Sequence, residues 1–183
     1  MKRGSLLFAL LLAIAAASAN AKNVTDPDIP RQLPEKGPVS VAWTDPAEFS
    51  ELRHSGNRWE AQRGNWVVQL AEYVQTRAAG SLQPGQQLHV TITDISRAGT
   101  YLPIAGPMHR DDVRYVTDLY PPRVTLNFQL RDAAGNVVSE GERKLRDSAF
   151  LMSSTSATNT DPLRYEKRML DDWMRKEFGA KRS

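Results

Sequence analysis

The stretch RVTLNFQLRDAAGNVVSEGERKL, residues 123 to 145, decides the fold. Val124, Leu126, Phe128 and Leu130 alternate strictly with Thr125, Asn127, Gln129 and Arg131. That two-residue period belongs to a strand with one apolar and one wet face. Asp132 to Asn136 supplies a five-residue turn containing Gly135, and a second run follows, so the segment is predicted as a β-hairpin. A hairpin that is wet on one side has to bury the other side against something.

Working outward, QLHVTITDI (87–95) repeats the pattern: Leu88, Val90 and Ile92 face one way, His89, Thr91 and Thr93 the other. VSVAW (39–43) is a short strand with Val39, Val41 and Trp43 on one face, and TDP closes it as a turn. VRYVT (113–117) is expected to add another strand after the Gly/Pro-punctuated segment GTYLPIAGP, and Pro121-Pro122 marks a bend before the hairpin.

The cover comes from two segments with helical period. Between Trp59 and Ala79, the positions Trp66, Val67, Leu70, Tyr73, Val74 and Ala78 form one stripe, with Gly80 as the stop. Gly64-Asn65 offers a second start, and Trp59 and Trp66 are both assigned to the core. The last helix takes Asp161-Pro162 as N-cap and N1 and turns Leu163, Met169, Leu170, Trp173, Met174 and Phe178 inward. MSSTSATNT (152–160) before it is a polar loop. The expected fold is α+β: a largely antiparallel sheet of about five strands with two helices on one face, in the order β-α-β-β-β-β-α.

The ends bound the compartment. Lys2 and Arg3, the apolar run Leu6 to Ala17 and the small residues Ala19 and Ala21 together make a signal-peptide pattern, cleaved after Ala21 or after Ala19. The run is shorter than the roughly 20 residues a membrane span requires. The expected organisation is a signal peptide over 1–21, a flexible proline-rich lead-in over 22–37, one α+β domain over 38–178 and a basic tail over 179–183. Cleavage leaves 162 of the 183 residues, enough for one core without staples, and the chain has no cysteine for a disulfide framework. The product is expected to be soluble and periplasmic.

Charge excludes one class of partner. The formal net charge is +3, but Lys2 and Arg3 leave with the leader, so 24 basic residues become 22 against 21 acidic ones. A nucleic-acid binder concentrates basic residues on one face. The C-terminal cations Arg164, Lys167, Arg168, Arg175 and Lys176 are interleaved with Glu166, Asp171, Asp172 and Glu177, as on a solvated helix. No nucleic-acid partner is expected.

The order of landmarks VSVAWTDPAEF, LQPGQQLHVTITDISRAG, YPPRVTLNFQLRDAAGNVVSEGERKLRDSAF and LRYEKRMLDDW resembles a family of exported bacterial proteins known only as a domain of unknown function. The likeness spans roughly residues 38 to 178. It implies a compartment and a fold, and it carries no catalytic residues. The strand pairs joined by D-x-x-G turns also look like small periplasmic accessory domains, an analogy of pattern that does not transfer function.

Chemistry is sparse. There is no G-x-S-x-G or S-x-x-K nucleophile motif and no glycine-rich phosphate loop, so no cofactor and no catalytic residue is assigned. In GPMHRDDV (106–113), His109, Asp111 and Asp112 would be the centre of a metal-assisted hydrolase. One histidine and two adjacent carboxylates leave a transition metal short of ligands unless His54 or His89 converges on them. The segment is therefore read as a loop that starts a strand. Asp94 and Arg97 form the other candidate, because Asp94 falls where the apolar face of its strand would continue after Ile92. A lone buried carboxylate is costly, so the pair is either a structural link or the wall of a ligand pocket. Arg123, directly after Pro121-Pro122, is a similar case. The expected function is an exported binding or accessory protein of the cell envelope, with another envelope protein or a small ligand as partner. The alternatives are the metal-assisted hydrolase and a scaffold or stress protein without a ligand.

Overall fold

The computed structural model describes residues 23–102, 110–152 and 159–179. The elements run β1 (Val39–Trp43), α1 (Ser50–Arg53), α2 (Arg58–Gln62), α3 (Trp66–Ala79), β2 (Gln87–Ser96), β3 (Thr100–Tyr101), β4 (Arg114–Tyr115), β5 (Arg123–Arg131), β6 (Val137–Arg146) and α4 (Arg164–Phe178). Short 3-10 turns sit at Pro46–Glu48 and Phe150–Met152. The α+β class is correct, with the strands divided between two sheets.

The hairpin forms as its alternation dictates. β5 and β6 pair antiparallel, and Val124, Leu126, Phe128 and Leu130 are all buried. Asp132 closes the turn: its N–H donates to the Asn136 carbonyl at 2.9 Å, and its carboxylate accepts from the Asn136 N–H at 2.9 Å. Gly135 takes φ +86° there, a conformation that costs glycine little. β2 lies antiparallel on the other side of β5, while β1 runs parallel to β2, giving the order β1-β2-β5-β6. The parallel step needs a crossover, and α1, α2 and α3 provide it.

A bulge in β2 changes the expected facing of its end. The β2–β5 register slips between Ile92 and Asp94, leaving Thr93 as the extra residue. One inserted residue reverses the face of everything after it. Ile95 thereby takes the inward place and is fully buried, while Asp94 turns out of the apolar row. The expectation that Asp94 continues the inward face is corrected by this bulge.

α3 and α4 cover the apolar face of the sheet. Leu70, Val74 and Ala78 of α3 and Met169, Leu170, Trp173 and Met174 of α4 share one core with Val41, Val90, Ile92, Leu126 and Phe128. Phe128 meets Trp173 and Phe178 edge to face, at centroid distances of 6.1 and 5.9 Å. Among the described residues no helix is long and apolar enough to cross a membrane.

Four local readings are revised. α2 and α3 are separate helices because Gly64 breaks the chain at φ +85°, and Trp59 on α2 is 65% exposed instead of joining Trp66 in the core. α4 begins at Arg164, and Asp161 does not cap it directly; its carboxylate accepts from the Leu163 N–H in the preceding turn. VRYVT contributes only Arg114 and Tyr115, which pair with β3 in a separate two-stranded sheet. The lead-in is extended but held: Val24 and Leu33 are buried, and Leu33 N–H and Trp43 N–H bond across to Val41 and Arg31 carbonyls along the outer edge of β1. Most of the MSSTSATNT loop lies outside the described residues.

Candidate functional site

α1 is one turn long, too short to persist without outside support. Asp94 supplies that support: its carboxylate accepts from the Ser50 N–H at 2.6 Å and from the Ser50 hydroxyl at 2.7 Å. The bulge in β2 is what aims it there. Phe49 and Leu52 bury the apolar side of this turn, and Glu51 goes inside with them.

Glu51 is the centre of a buried polar group that joins three parts of the chain. Arg114 binds it in a two-pronged fashion, Nη1 at 2.7 Å and Nη2 at 3.0 Å. Arg97 adds its backbone N–H at 2.8 Å and its Nη2 at 2.9 Å. The side chains of Glu51, Arg97 and Arg114 are 4%, 14% and 18% exposed. Burial pushes the Glu51 carboxyl up, but the two guanidiniums outweigh it and hold the group below the ordinary carboxylate value. Each guanidinium also lies over an aromatic ring, Arg97 over Trp66 at 4.5 Å and Arg114 over Tyr101 at 5.2 Å from the ring centroid. Arg114 further donates to the carbonyls of Arg97, Ala98 and Gly99. It therefore ties the end of β2 to the small β3–β4 sheet.

Glu166 of α4 approaches from behind. Its Oε1 accepts from the Ala98 N–H at 2.6 Å, and its Oε2 is buried with no partner among the described residues. Burial pushes this carboxyl above the ordinary value, against the weaker pull of the Ala98 N–H and of Arg114 and Arg97. The two guanidiniums thus converge on the Glu51 carboxylate, with the Glu166 carboxyl buried on the neighbouring Ala98 N–H.

Over this cluster opens a cleft of about 230 Å³ lined by Ser50, Glu51, His54, Ser55, Ser96, Gly99, Thr100, Arg114, Tyr120 and Arg123. Gly99 lets the walls close up: at φ +78°, a Cβ there would stand 2.5 Å from the Tyr115 carbonyl oxygen. Pro121 and Pro122 are buried behind the rim, and they set Arg123 at its exposed first strand position. Glu51, the one carboxylate in the lining, has its oxygens committed to Arg97 and Arg114. Arg123 forms no ion pair or side-chain hydrogen bond with another described residue. The cleft therefore offers donors and positive charge, with hydroxyls of Thr100, Ser96 and Tyr120 around them.

The residues singled out in the sequence separate here. Asp94 and Arg97 do not pair with each other; Asp94 holds α1 through Ser50, and Arg97 binds Glu51 and the Ala61 carbonyl. Arg123 lies open in the cleft. Asp111 and Asp112 are exposed: the Asp111 carbonyl accepts from Asn57 Nδ2 at 3.0 Å and Asp112 pairs with Arg110 at 3.2 Å. His109 lies outside the described residues. His54 lines the cleft, whereas His89 meets the Ser40 hydroxyl at 2.6 Å on the open face of the sheet. No three His, Cys, Asp or Glu side chains among the described residues are grouped as metal ligands. Glu51 and Arg114 escaped the sequence reading, and Glu166, expected on a solvated helix face, is buried. The one signal for Glu51 was a carboxylate between Phe49 and Leu52 on a segment too short to show a period.

No curated protein and no solved structure matches the chain. The family described as protein of unknown function (DUF3016) matches residues 37–176, the stretch that runs from just before β1 nearly to the end of α4 and contains the whole cleft. The chain belongs to that family.

Proposed function

We propose that the protein is exported to the periplasm and serves there as a binding or accessory domain of the cell envelope, holding a small oxyanion-bearing ligand in the cleft at Arg123. The observation that carries this reading is the charge of the cleft: an exposed Arg123 without a carboxylate partner among the described residues, above two guanidiniums that share Glu51. A guanidinium with free donors in a confined space favours carboxylate or phosphate groups. The cleft is smaller than the roughly 300–1,000 Å³ of drug-sized sites, which suits a ligand of a few heavy atoms around its anionic group. Catalysis is not assigned: Glu51 is sequestered by Arg97 and Arg114, and among the described lining residues His54 makes no hydrogen bond to a serine hydroxyl.

Export is supported by the Lys2-Arg3 start, the apolar run and the Ala19-x-Ala21 pattern. The test joins both parts. Protein isolated from the periplasmic fraction should begin at Lys22 or Asn20, and native mass spectrometry should find it carrying an added small acid that denaturation releases. A chain starting at Met1 and retained in membranes would end the export reading. A periplasmic chain that carries no acid, and takes up none from a panel of small acids, would end the ligand reading.

A further inference from the structure

The two edges of the main sheet are treated differently. The outer edge of β1 is bridged by the lead-in at Gln32 and Lys36, and the outer edge of β6 has no strand beside it among the described residues. An open edge of ten residues is a template for another strand. Charged side chains commonly guard such edges, and β6 carries them on its wet face in a particular order: Glu140, Glu142, Lys144, Arg146, with acids first and bases last.

We propose that β6 pairs with β6 of a second copy of this chain, antiparallel about a two-fold axis at Arg143, so that two four-stranded sheets join into one. In that register, residues 140 to 146 of each copy oppose one another. Glu142 then faces the second copy's Lys144, and Glu140 faces its Arg146, on the same face of the sheet. Directly opposite residues of unlike charge stabilise a strand pair, and like charges oppose it. Moving the axis to Glu142 or to Lys144 sets that residue against its own copy, so the charges select one register. On the helix side the axis meets Arg143, whose charge is already matched by a two-pronged bond to Glu177, with both distances 2.8 Å. A two-fold contact of this kind closes on itself and stops at the dimer. A contact one strand wide falls at the small end of interfaces, below about 1,200 Å², so the dimer is expected to be concentration-dependent.

The charges provide the experiment. Sedimentation of the mature protein over a rising concentration series should show a monomer–dimer equilibrium. The variant K144E/R146E has an all-acidic edge and E140K/E142K an all-basic one. Each alone should lose the dimer, and a one-to-one mixture should regain it as a mixed pair. A wild-type chain that stays monomeric at every concentration overturns the proposal and leaves the charges as edge protection. A dimer indifferent to both variants, or lost in both without recovery on mixing, overturns this register. Hydrogen exchange on the unaltered protein covers the case of a variant that fails to fold. Amides within 137–146 should exchange more slowly as concentration rises, and protection appearing elsewhere instead contradicts the pairing.

Discussion

Replacing Glu51 by glutamine keeps the shape of the side chain and removes the charge that joins α1, β2 and β4. Four hydrogen bonds to the carboxylate are lost or weakened, two from Arg97 and two from Arg114. At about 1.5–3 kcal/mol for a bond to a charged group, their simple sum would be roughly 6–12 kcal/mol. That is an upper bound, since such contributions are not additive and both guanidiniums keep carbonyl partners: Ala61 for Arg97, and Arg97, Ala98 and Gly99 for Arg114. Removing one partner of a buried ion pair costs about 3–5 kcal/mol, and the loss should fall in that range. Such a loss is a large part of the 5–15 kcal/mol that typically separates folded from unfolded chains. The pH dependence has a definite sign. Glu51 titrates below its ordinary value of 4.5 in the folded state, so its contribution is complete above that pH and is lost as pH falls through the folded value. Urea unfolding followed by tryptophan fluorescence at several pH values, for wild type and Glu51→Gln, reads both. A difference below about 1 kcal/mol at neutral pH, or one that widens on acidification, would refute the assignment of Glu51 as the centre of the cluster.

Glu166 should behave in the opposite sense. Its folded pKa is raised by burial, so its stabilising effect is complete below 4.5 and declines as pH rises through the folded value; Glu166→Gln, which cannot ionise, should gain stability relative to wild type as pH rises above 4.5, and a relative loss on that rise would contradict the assignment. Asp94→Ala removes the support of α1 and should cost about 0.5–2 kcal/mol in the same unfolding assay, with no change at all pointing to an α1 that is held by packing alone. Phe128→Ala empties a site between Trp173 and Phe178 and should cost about 3–5 kcal/mol; a loss under about 1 kcal/mol would place the ring at the surface.

The parts of the fold that were legible are those where one period persists. Eight alternating residues in β5 and five in α4's inward row leave little choice of face. The end of β2 was not legible, because TITDI reads equally well with and without an extra residue, and the bulge at Thr93 shows only in the pairing with β5 and the burial of Ile95. The parallel pairing of β1 was hidden for a different reason: five residues state which face is apolar and nothing about which neighbour they join. The site was visible only at its rim. Arg123 announced itself by following two prolines, whereas Glu51, Arg114 and Glu166 lie far apart in sequence on three elements and meet only in the folded chain. A buried charge looks like any surface charge until its partners are placed, and this is why Asp94 was matched with Arg97 when each binds elsewhere. The prolines of the lead-in suggested a loose segment, but Val24 and Leu33 are enough apolar surface to hold it down.

The central claim is that the cleft at Arg123 binds small oxyanions. Calorimetric titration of the protein with phosphate and with small mono- and dicarboxylates tests it directly, with Arg123→Ala as the comparison and circular dichroism as the check on folding. A charged hydrogen bond contributes about 1.5–3 kcal/mol, so the variant should bind the preferred anion roughly ten- to a hundredfold more weakly at unchanged fold. Saturable binding by wild type with that loss in the variant is the predicted result. Equal binding by both proteins, or none of these anions bound by either, would contradict it.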